Sequence, residues 1–352
     1  MTTPLRTGGR ILVDQLIAQG CDRVFTVPGE SFLAVLDALH DAPSIDVVVC
    51  RQEGGVAYMA DADGKLTGRP GVAFVTRGPG ATNASAGVHV AMQDSTPLIL
   101  FVGDLDRGDK DREGFQEVDF AAFFTPIAKW AARIDDARRI PEYVARAYRV
   151  ATAGRPGPVV LAIPEDMLRD CVEAVDRPAI APIAQPACAG AVGAMFELLK
   201  DATNPVAIIG GADWSPAAAH HFANFAARHG IPVAAAFRRQ DAVANSCSVY
   251  AGNLGYGPNP LLQQRIREAD LLLVVGARLG EATTDGYKLI TPDHPEQILV
   301  HIHPDPNELG RVYRADLPIC ADMAEFAEVV ADWHDPELVR FAAGEEAHRD
   351  WL

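Results

Sequence analysis

Arg51-Gln52-Glu53-Gly54-Gly55-Val56-Ala57-Tyr58-Met59-Ala60 and, a short β-rich run later, Gly78-Pro79-Gly80-Ala81-Thr82-Asn83 decide how the chain reads. The first stretch sets one carboxylate at the start of a helix made otherwise of small and apolar residues. The second opens the next helix through two glycines and a proline. Each follows an apolar strand, at residues 47–50 and 71–76. Strands that are nearly continuous Val, Ile and Leu, separated by helices, indicate a parallel sheet covered on both faces.

Outward from this centre the alternation continues. Residues 10–18 and 31–39 carry apolar side chains at helical spacing, and residues 23–27 form a short strand between them. A helix at 81–93, strands at 98–103, 127–132 and 159–163, and a helix at 141–153 complete a first α/β unit. Pro141 suits the first turn of its helix. Between Cys171 and Ala191 the pattern breaks, and the run with Pro178, Pro182 and Pro186 reads as an extended linker. A second α/β unit follows, with strands at 205–210, 232–235, 271–276 and 297–302 and helices at 216–229 and 323–332. Residues 336–352 look helical and stop without a cap, as a cut chain would. The expected fold is α/β, two doubly wound parallel-sheet domains, with boundaries 1–170, 171–190 as linker, 191–335, and 336–352 leading toward a further domain.

Composition excludes several functions. The 352 residues are 49% hydrophobic and 22% charged, normal for a globular protein of two domains. A net charge of −16 argues against nucleic acid, which needs a basic face. No apolar run is long enough to span a bilayer, and the start, Met1-Thr2-Thr3-Pro4-Leu5-Arg6, has no apolar signal core, so a cytoplasmic protein is expected. Six scattered cysteines without a CxxC pair fit reduced thiols better than disulfides or zinc.

Glu53 follows a strand at the sheet edge where ligands of open α/β folds gather. Its neighbours offer no counter-charge, so it could share a proton with a ring nitrogen. Read alone it is more readily an ordinary first-turn carboxylate favoured by the helix dipole. Gly78, Pro79 and Gly80 could be a tight turn or a close backbone approach to a ligand. Asn83 could be a polar contact or a cap.

With five further segments these stretches resemble the thiamin diphosphate-dependent enzymes, the acetolactate synthase group in particular. The segments are Val24-Phe25-Thr26-Val27-Pro28-Gly29-Glu30, Asp94-Ser95-Thr96-Pro97-Leu98, Phe115-Gln116-Glu117-Val118-Asp119, Gly154-Arg155-Pro156-Gly157-Pro158-Val159 and Ile163-Pro164-Glu165-Asp166. Where those enzymes carry a His-Glu-Gln step, this chain has Gln52-Glu53-Gly54. The resemblance implies a pyrimidine-binding domain followed by a dinucleotide-type central domain. It implies that Glu53 hydrogen-bonds the aminopyrimidine of thiamin diphosphate and favours its imino form, which takes the proton from the thiazolium carbon. On the same basis Pro28, Gly29, Glu30, Gly78, Pro79, Gly80, Asn83 and Gln116 line the cofactor, with Gln116 equally open to a solvent role. Lys129 matches a lysine of the family and is otherwise a surface charge. Arg155, Gly210, Gly211, Arg278 and Asp305 match positions near FAD or ADP in some members, with turn geometry the alternative for the glycines. His301 and His303 alternate like a metal pair but lack a third ligand. The resemblance further implies a 2-oxo acid substrate and a homodimer or homotetramer.

The family's Gly-Asp-Gly segment, which holds Mg²⁺ against the diphosphate, is not in the sequence; Gly103-Asp104-Leu105 and Asp63-Gly64 are its nearest approaches. The metal ligands are therefore expected in a further domain, and the chain alone is expected to be inactive. Three readings stay open: part of a carboligase or decarboxylase, a subunit that needs a separate diphosphate-domain partner, or a non-catalytic adenine-nucleotide module.

Overall fold

The computed structural model describes residues 4–212, 214–333, 338 and 340–352. Two compact units are present, Met1–Ile183 and Ala184–Leu352. Among the described residues no helix is long and apolar enough to cross a membrane.

The first unit begins with β1 (Leu5–Thr7), α1 (Gly8–Ala18), β2 (Arg23–Thr26), α2 (Leu33–His40), β3 (Asp46–Val49) and α3 (Glu53–Thr67). It continues with β4 (Gly71–Val75), α4 (Pro79–Asp94), β5 (Leu98–Asp104), α5 (Phe120–Phe124), β6 (Trp130–Arg133), α6 (Ile140–Thr152), β7 (Pro158–Pro164), α7 (Glu165–Arg169) and β8 (Cys171–Glu173). Six strands form one sheet in the order β3-β2-β4-β5-β7-β6, with every pair parallel.

Alternation along the strands divides the core. Val72, Phe74, Ile99 and Phe101 face the layer of α1, α2 and α6. Ala73, Val75, Leu100 and Val102 face α3, α4 and α5. Phe74 stacks on Phe101 with ring centroids 4.8 Å apart. Each such fully buried aromatic stabilises by roughly 1.5–3 kcal/mol relative to exposure. Small residues bring α3 and α4 together: a Cβ on Gly87 would lie 2.5 Å from that of Ala57. Helix α3 ends at Gly68, whose φ of 68° is the left-handed cap that glycine adopts without strain.

The structure adds elements that the sequence pattern does not announce. Cys171–Glu173, which composition assigns to the linker, pairs antiparallel with Leu5–Thr7. Helices α5 and α7 are single turns, too short to show a period. The helix expected from residue 31 begins as a 3₁₀ turn, Glu30–Phe32, before α2.

The second unit contains α8 (Ala189–Asp201), β9 (Pro205–Ile209), α9 (Pro216–His229), β10 (Val233–Ala235), β11 (Tyr250–Asn253) and α10 (Pro260–Glu268). Then come β12 (Leu271–Val275), β13 (Ile298–His303), β14 (Leu317–Cys320), α11 (Met323–Asp332) and α12 (Ala343–Trp351). Its sheet runs β11-β10-β9-β12-β13-β14, again all parallel. Thus both units are doubly wound, as expected. Of the helical reading at 336–352, residues 336, 337 and 339 lie outside the described residues, and Ala343–Trp351 is helix α12. Trp351 packs edge-on against Tyr250 at the end of the sheet.

Candidate functional site

Parallel pairing puts the loops after β2, β3, β4 and β5 at one edge of the first sheet. The order β3-β2-β4 makes the chain reverse its winding across β2, and this is where a crevice opens in such sheets.

Glu53 is the first residue of α3. Gln52 caps that helix, its side-chain oxygen accepting from Gly55 N at 3.0 Å. A histidine is frequent at this position in the family that the motifs resemble; the glutamine here is occupied with the helix end. The Glu53 side chain is half-buried. Asn83 Nδ2, in the second turn of α4, donates to Glu53 Oε2 at 3.1 Å. Oε1 has no hydrogen-bond partner among the described residues. A Cβ on Gly80 would come within 3.6 Å of this Oε1 and 2.8 Å of Thr76 Cγ2. Glycine is thus required at position 80 by the close approach of Thr76, and it lies at van der Waals distance from the carboxylate.

Gly78 has φ 61° and ψ −119° and precedes Pro79, the first residue of α4. A Cβ there would sit 2.6 Å from Gln116 Cβ, so the two loops touch at a point only glycine allows. Gln116 itself has a left-handed φ of 65°. The loop that carries it is folded around Glu117, whose carboxylate accepts from Asp111 N at 2.6 Å and Gly114 N at 2.8 Å. These backbone bonds hold the Glu117 carboxyl below its usual range.

Gly29 packs against Thr76, and Ser31 Oγ lies 2.8 Å from Thr76 Oγ1. The Glu30 carboxylate is exposed and lies 3.4 Å from Arg77 Nη2. Arg77, only 9% exposed, also reaches Glu165 at 3.5 Å and donates to Phe115 O at 3.4 Å. Sequence reading passed over this arginine. It draws together the loops of Glu30 and Gln116 and the start of α7, and nothing in its local pattern announces that. Pro28, Gly29, Glu30, Gly78, Pro79, Gly80, Asn83 and Gln116 thus all lie on the loops and helix starts of the edge that carries Glu53.

The remaining expected residues lie elsewhere. Arg155 is buried in the first unit, donating to Ser95 Oγ at 2.9 Å and to Met92 O at the end of α4. Lys129 Nζ donates to Ala153 O at 2.7 Å. In the second unit Gly210 and Gly211 follow β9. A Cβ on Gly211 would fall 2.1 Å from Gly276 O, and one on Gly276 2.4 Å from Gly210 O. Their smallness serves the close passage of the chain after β9 and β12. Asp305 accepts from Asn307 N and Nδ2, both at 2.9 Å. Arg278 pairs with buried Glu308 at 3.2 Å, and Arg311 pairs with the same carboxylate at 2.9 Å. Arg278, Glu308 and Arg311 line a cavity of ≈160 Å³ with His301, Tyr287 and Tyr313. Asp305 and the Gly210–Gly211 turn are not among its walls. His301 and His303 point to one side of β13, with ring centroids 6.2 Å apart. Burial lowers the pKa of both, that of His303 to about 4. Among the described residues no group of three or more His, Cys, Asp or Glu is placed to hold a metal ion.

Residues 6–123 match the family model for the thiamine pyrophosphate enzyme, N-terminal TPP binding domain. Residues 192–330 match the model for the thiamine pyrophosphate enzyme, central domain. The chain is 29% identical over 341 residues to an acetolactate synthase of Bacillus subtilis, covering 96% of this chain and 59% of that one. It is 31% identical over 326 residues to the acetolactate synthase large subunit of Parasynechococcus marenigrum, covering 90% and 52%. Against acetolactate synthase isozyme 3 large subunit of Escherichia coli it is 29% identical over 358 residues, covering 98% and 60%. The chain therefore spans little more than half the length of these curated relatives.

Proposed function

We propose, from the premise that this chain belongs to the thiamine pyrophosphate enzyme family, that it forms the pyrimidine-binding and central parts of a thiamin diphosphate-dependent carboligase or decarboxylase acting on 2-oxo acids. The observation that carries this reading is the Glu53 carboxylate. Asn83 holds one oxygen, and the other, beside Gly80, has no hydrogen-bond partner among the described residues.

Such a carboxylate suits the cofactor's aminopyrimidine. Oε1 would hold the proton of a ring nitrogen, and Asn83 would keep the carboxylate plane turned toward it. Gly78 and Gln116 would border that ring where their loops meet. When bound, the cofactor supplies the reactive thiazolium carbon and takes up the electrons released from the substrate. The protein's part is orientation and control of one proton.

No residue of this chain is proposed to bind Mg²⁺; its ligands and the diphosphate contacts belong to protein beyond the segments matched here. Assembly as a homodimer or homotetramer accompanies this reading. It is supported by Tyr58 and Met59, which α3 leaves exposed beside the Glu53 edge.

Hydrogen–deuterium exchange at the thiazolium carbon tests the proposal. The measurement uses the full native polypeptide with thiamin diphosphate and Mg²⁺. Glu53→Gln should slow exchange by about 100-fold or more while leaving the fold intact. Wild-type exchange in that variant would reject the role.

A further inference from the structure

The loop between β5 and α5 is strained where it meets the Glu53 edge. Of the seven non-glycine residues with positive φ among the described residues, Asp111 (63°), Glu113 (55°) and Gln116 (65°) fall within six positions. Aspartate tolerates this region, whereas glutamate and glutamine are disfavoured there. Such a backbone persists only where its surroundings enforce it.

Glu117 enforces it here. One carboxylate oxygen accepts from Asp111 N at 2.6 Å and the other from Gly114 N at 2.8 Å. The N–H groups of Arg112 and Glu113 face the same carboxylate. Four successive backbone donors thus cup one anion, in the kind of concavity that left-handed residues create. Glu117 N closes the turn by donating to Gly114 O at 3.0 Å. Arg77 adds a longer contact, Nε to Phe115 O at 3.4 Å.

The turn presents Gln116. A Cβ on Gly78 would meet Gln116 Cβ at 2.6 Å and Cγ at 3.1 Å, so this side chain starts on the glycine that leads into α4. It is half-buried, and its amide makes no hydrogen bond among the described residues. An amide offers two donors and an acceptor. A strained backbone that brings such a group to the Glu53 edge without an internal partner suits a ligand contact.

We propose that Glu117 is a positioning residue: its carboxylate shapes the turn at residues 111–116 so that the Gln116 amide meets the 2-oxo acid at the Glu53 edge. The inference rests on the thiamin diphosphate reading above. Glu117 touches neither substrate nor cofactor. It acts through Gln116, and Glu53 works without it.

The test uses the full native polypeptide with thiamin diphosphate and Mg²⁺. Glu117→Gln keeps the size of the side chain but turns a donor toward one of the two N–H groups. Amide exchange in residues 111–116 should quicken about tenfold. Exchange at the thiazolium carbon, which depends on Glu53, should stay within about twofold of wild type. Release of CO₂ from pyruvate, glyoxylate or benzoylformate, whichever the wild type takes fastest, should fall about tenfold. Gln116→Ala should give the same fall, and combining the two substitutions should give no further one. Losses that multiply in the double variant would overturn the proposal, because Glu117 would then act independently of Gln116. Equal losses of thiazolium exchange and CO₂ release would overturn it as general damage to the site. Unchanged amide exchange in Glu117→Gln would overturn it too. A wild type that releases CO₂ from none of the three acids would reject the underlying reading, and this inference with it.

Discussion

Asn83 Nδ2 stands 3.1 Å from Glu53 Oε2 and joins the first turn of α3 to the second turn of α4 across thirty residues of sequence. One oxygen of the carboxylate is thereby fixed and the other is left for a ligand. The pairing exists because β3 and β4 lie on either side of β2, which brings the starts of the two helices side by side.

Asn83→Leu keeps the side-chain volume and removes the donor. Because the pair is partly solvated, its loss should cost no more than about 1 kcal/mol of stability. Exchange at the thiazolium carbon of added thiamin diphosphate should nevertheless fall about tenfold, since the carboxylate would rotate freely. A urea titration together with the exchange rate separates the two effects. An unchanged exchange rate would remove Asn83 from the positioning role.

Gly78→Ala and Gly20→Ala make a matched pair. Both positions have left-handed φ, 61° and 80° respectively. A Cβ at Gly20 meets nothing within 4 Å, whereas one at Gly78 collides with Gln116. Gly20→Ala should cost about 1 kcal/mol for backbone strain alone. Gly78→Ala should cost about 2–3 kcal/mol and displace the Gln116 loop. Denaturation midpoints and amide exchange in residues 111–119 are the measurements.

His303 gives the second unit a pH dependence. Its Nδ1 lies 3.0 Å from Asp305 N and 3.3 Å from Asp305 O, and burial favours the neutral ring. Burial, with His301 alongside, lowers its pKa from 6.5 to about 4. A base with a depressed folded-state pKa gives stability that is full above pH 6.5 and lost as pH falls toward 4. The loss is on the order of 3 kcal/mol. His303→Asn, which can retain an acceptor for Asp305 N, should flatten unfolding free energy against pH over that window. An unaltered slope would show that His303 does not supply it.

Asp61 should act in the opposite sense. It is 6% exposed, its Oδ1 has no hydrogen-bond partner, and Lys65 Nζ stands 3.7 Å from Oδ2 while pairing more closely with Asp94. Desolvation raises its pKa. The folded state then holds this proton more tightly than the unfolded chain. That contribution is full below about pH 4 and disappears as pH rises through the raised value. Asp61→Asn should therefore stabilise the protein at pH 7 by about 1 kcal/mol and have no effect near pH 3.5. Thermal unfolding at both pH values tests the sign.

Much of the fold was legible because strand and helix leave different periods in a buried sequence. The runs at 71–75 and 271–275 have no polar residue, so each could only be a strand covered on both faces. Helices α9 and α11 lie where the pattern placed them, each opened by a residue suited to a helix start, Ser215 or Asp322. The strand Cys171–Glu173 was not legible. Its three residues alternate no more clearly than linker does, and only its partner Leu5–Thr7 makes it a strand. Arg77 was missed for the same reason: an arginine beside a glycine turn has no local mark of the three groups it will meet.

By itself the sequence determined the two parallel α/β units, the carboxylate at the head of α3 and the glycine turn into α4. These follow from the period of apolar residues and from the backbone freedom of glycine, which are properties of neighbours along the chain. Tertiary structure alone decided that Asn83 holds Glu53, that Gly78 touches Gln116, that Arg155 turns inward to α4, and that Tyr148 of α6 comes to lie beside Cys21. Each of these joins groups at least thirty residues apart, and their distances are set by strand order and helix packing.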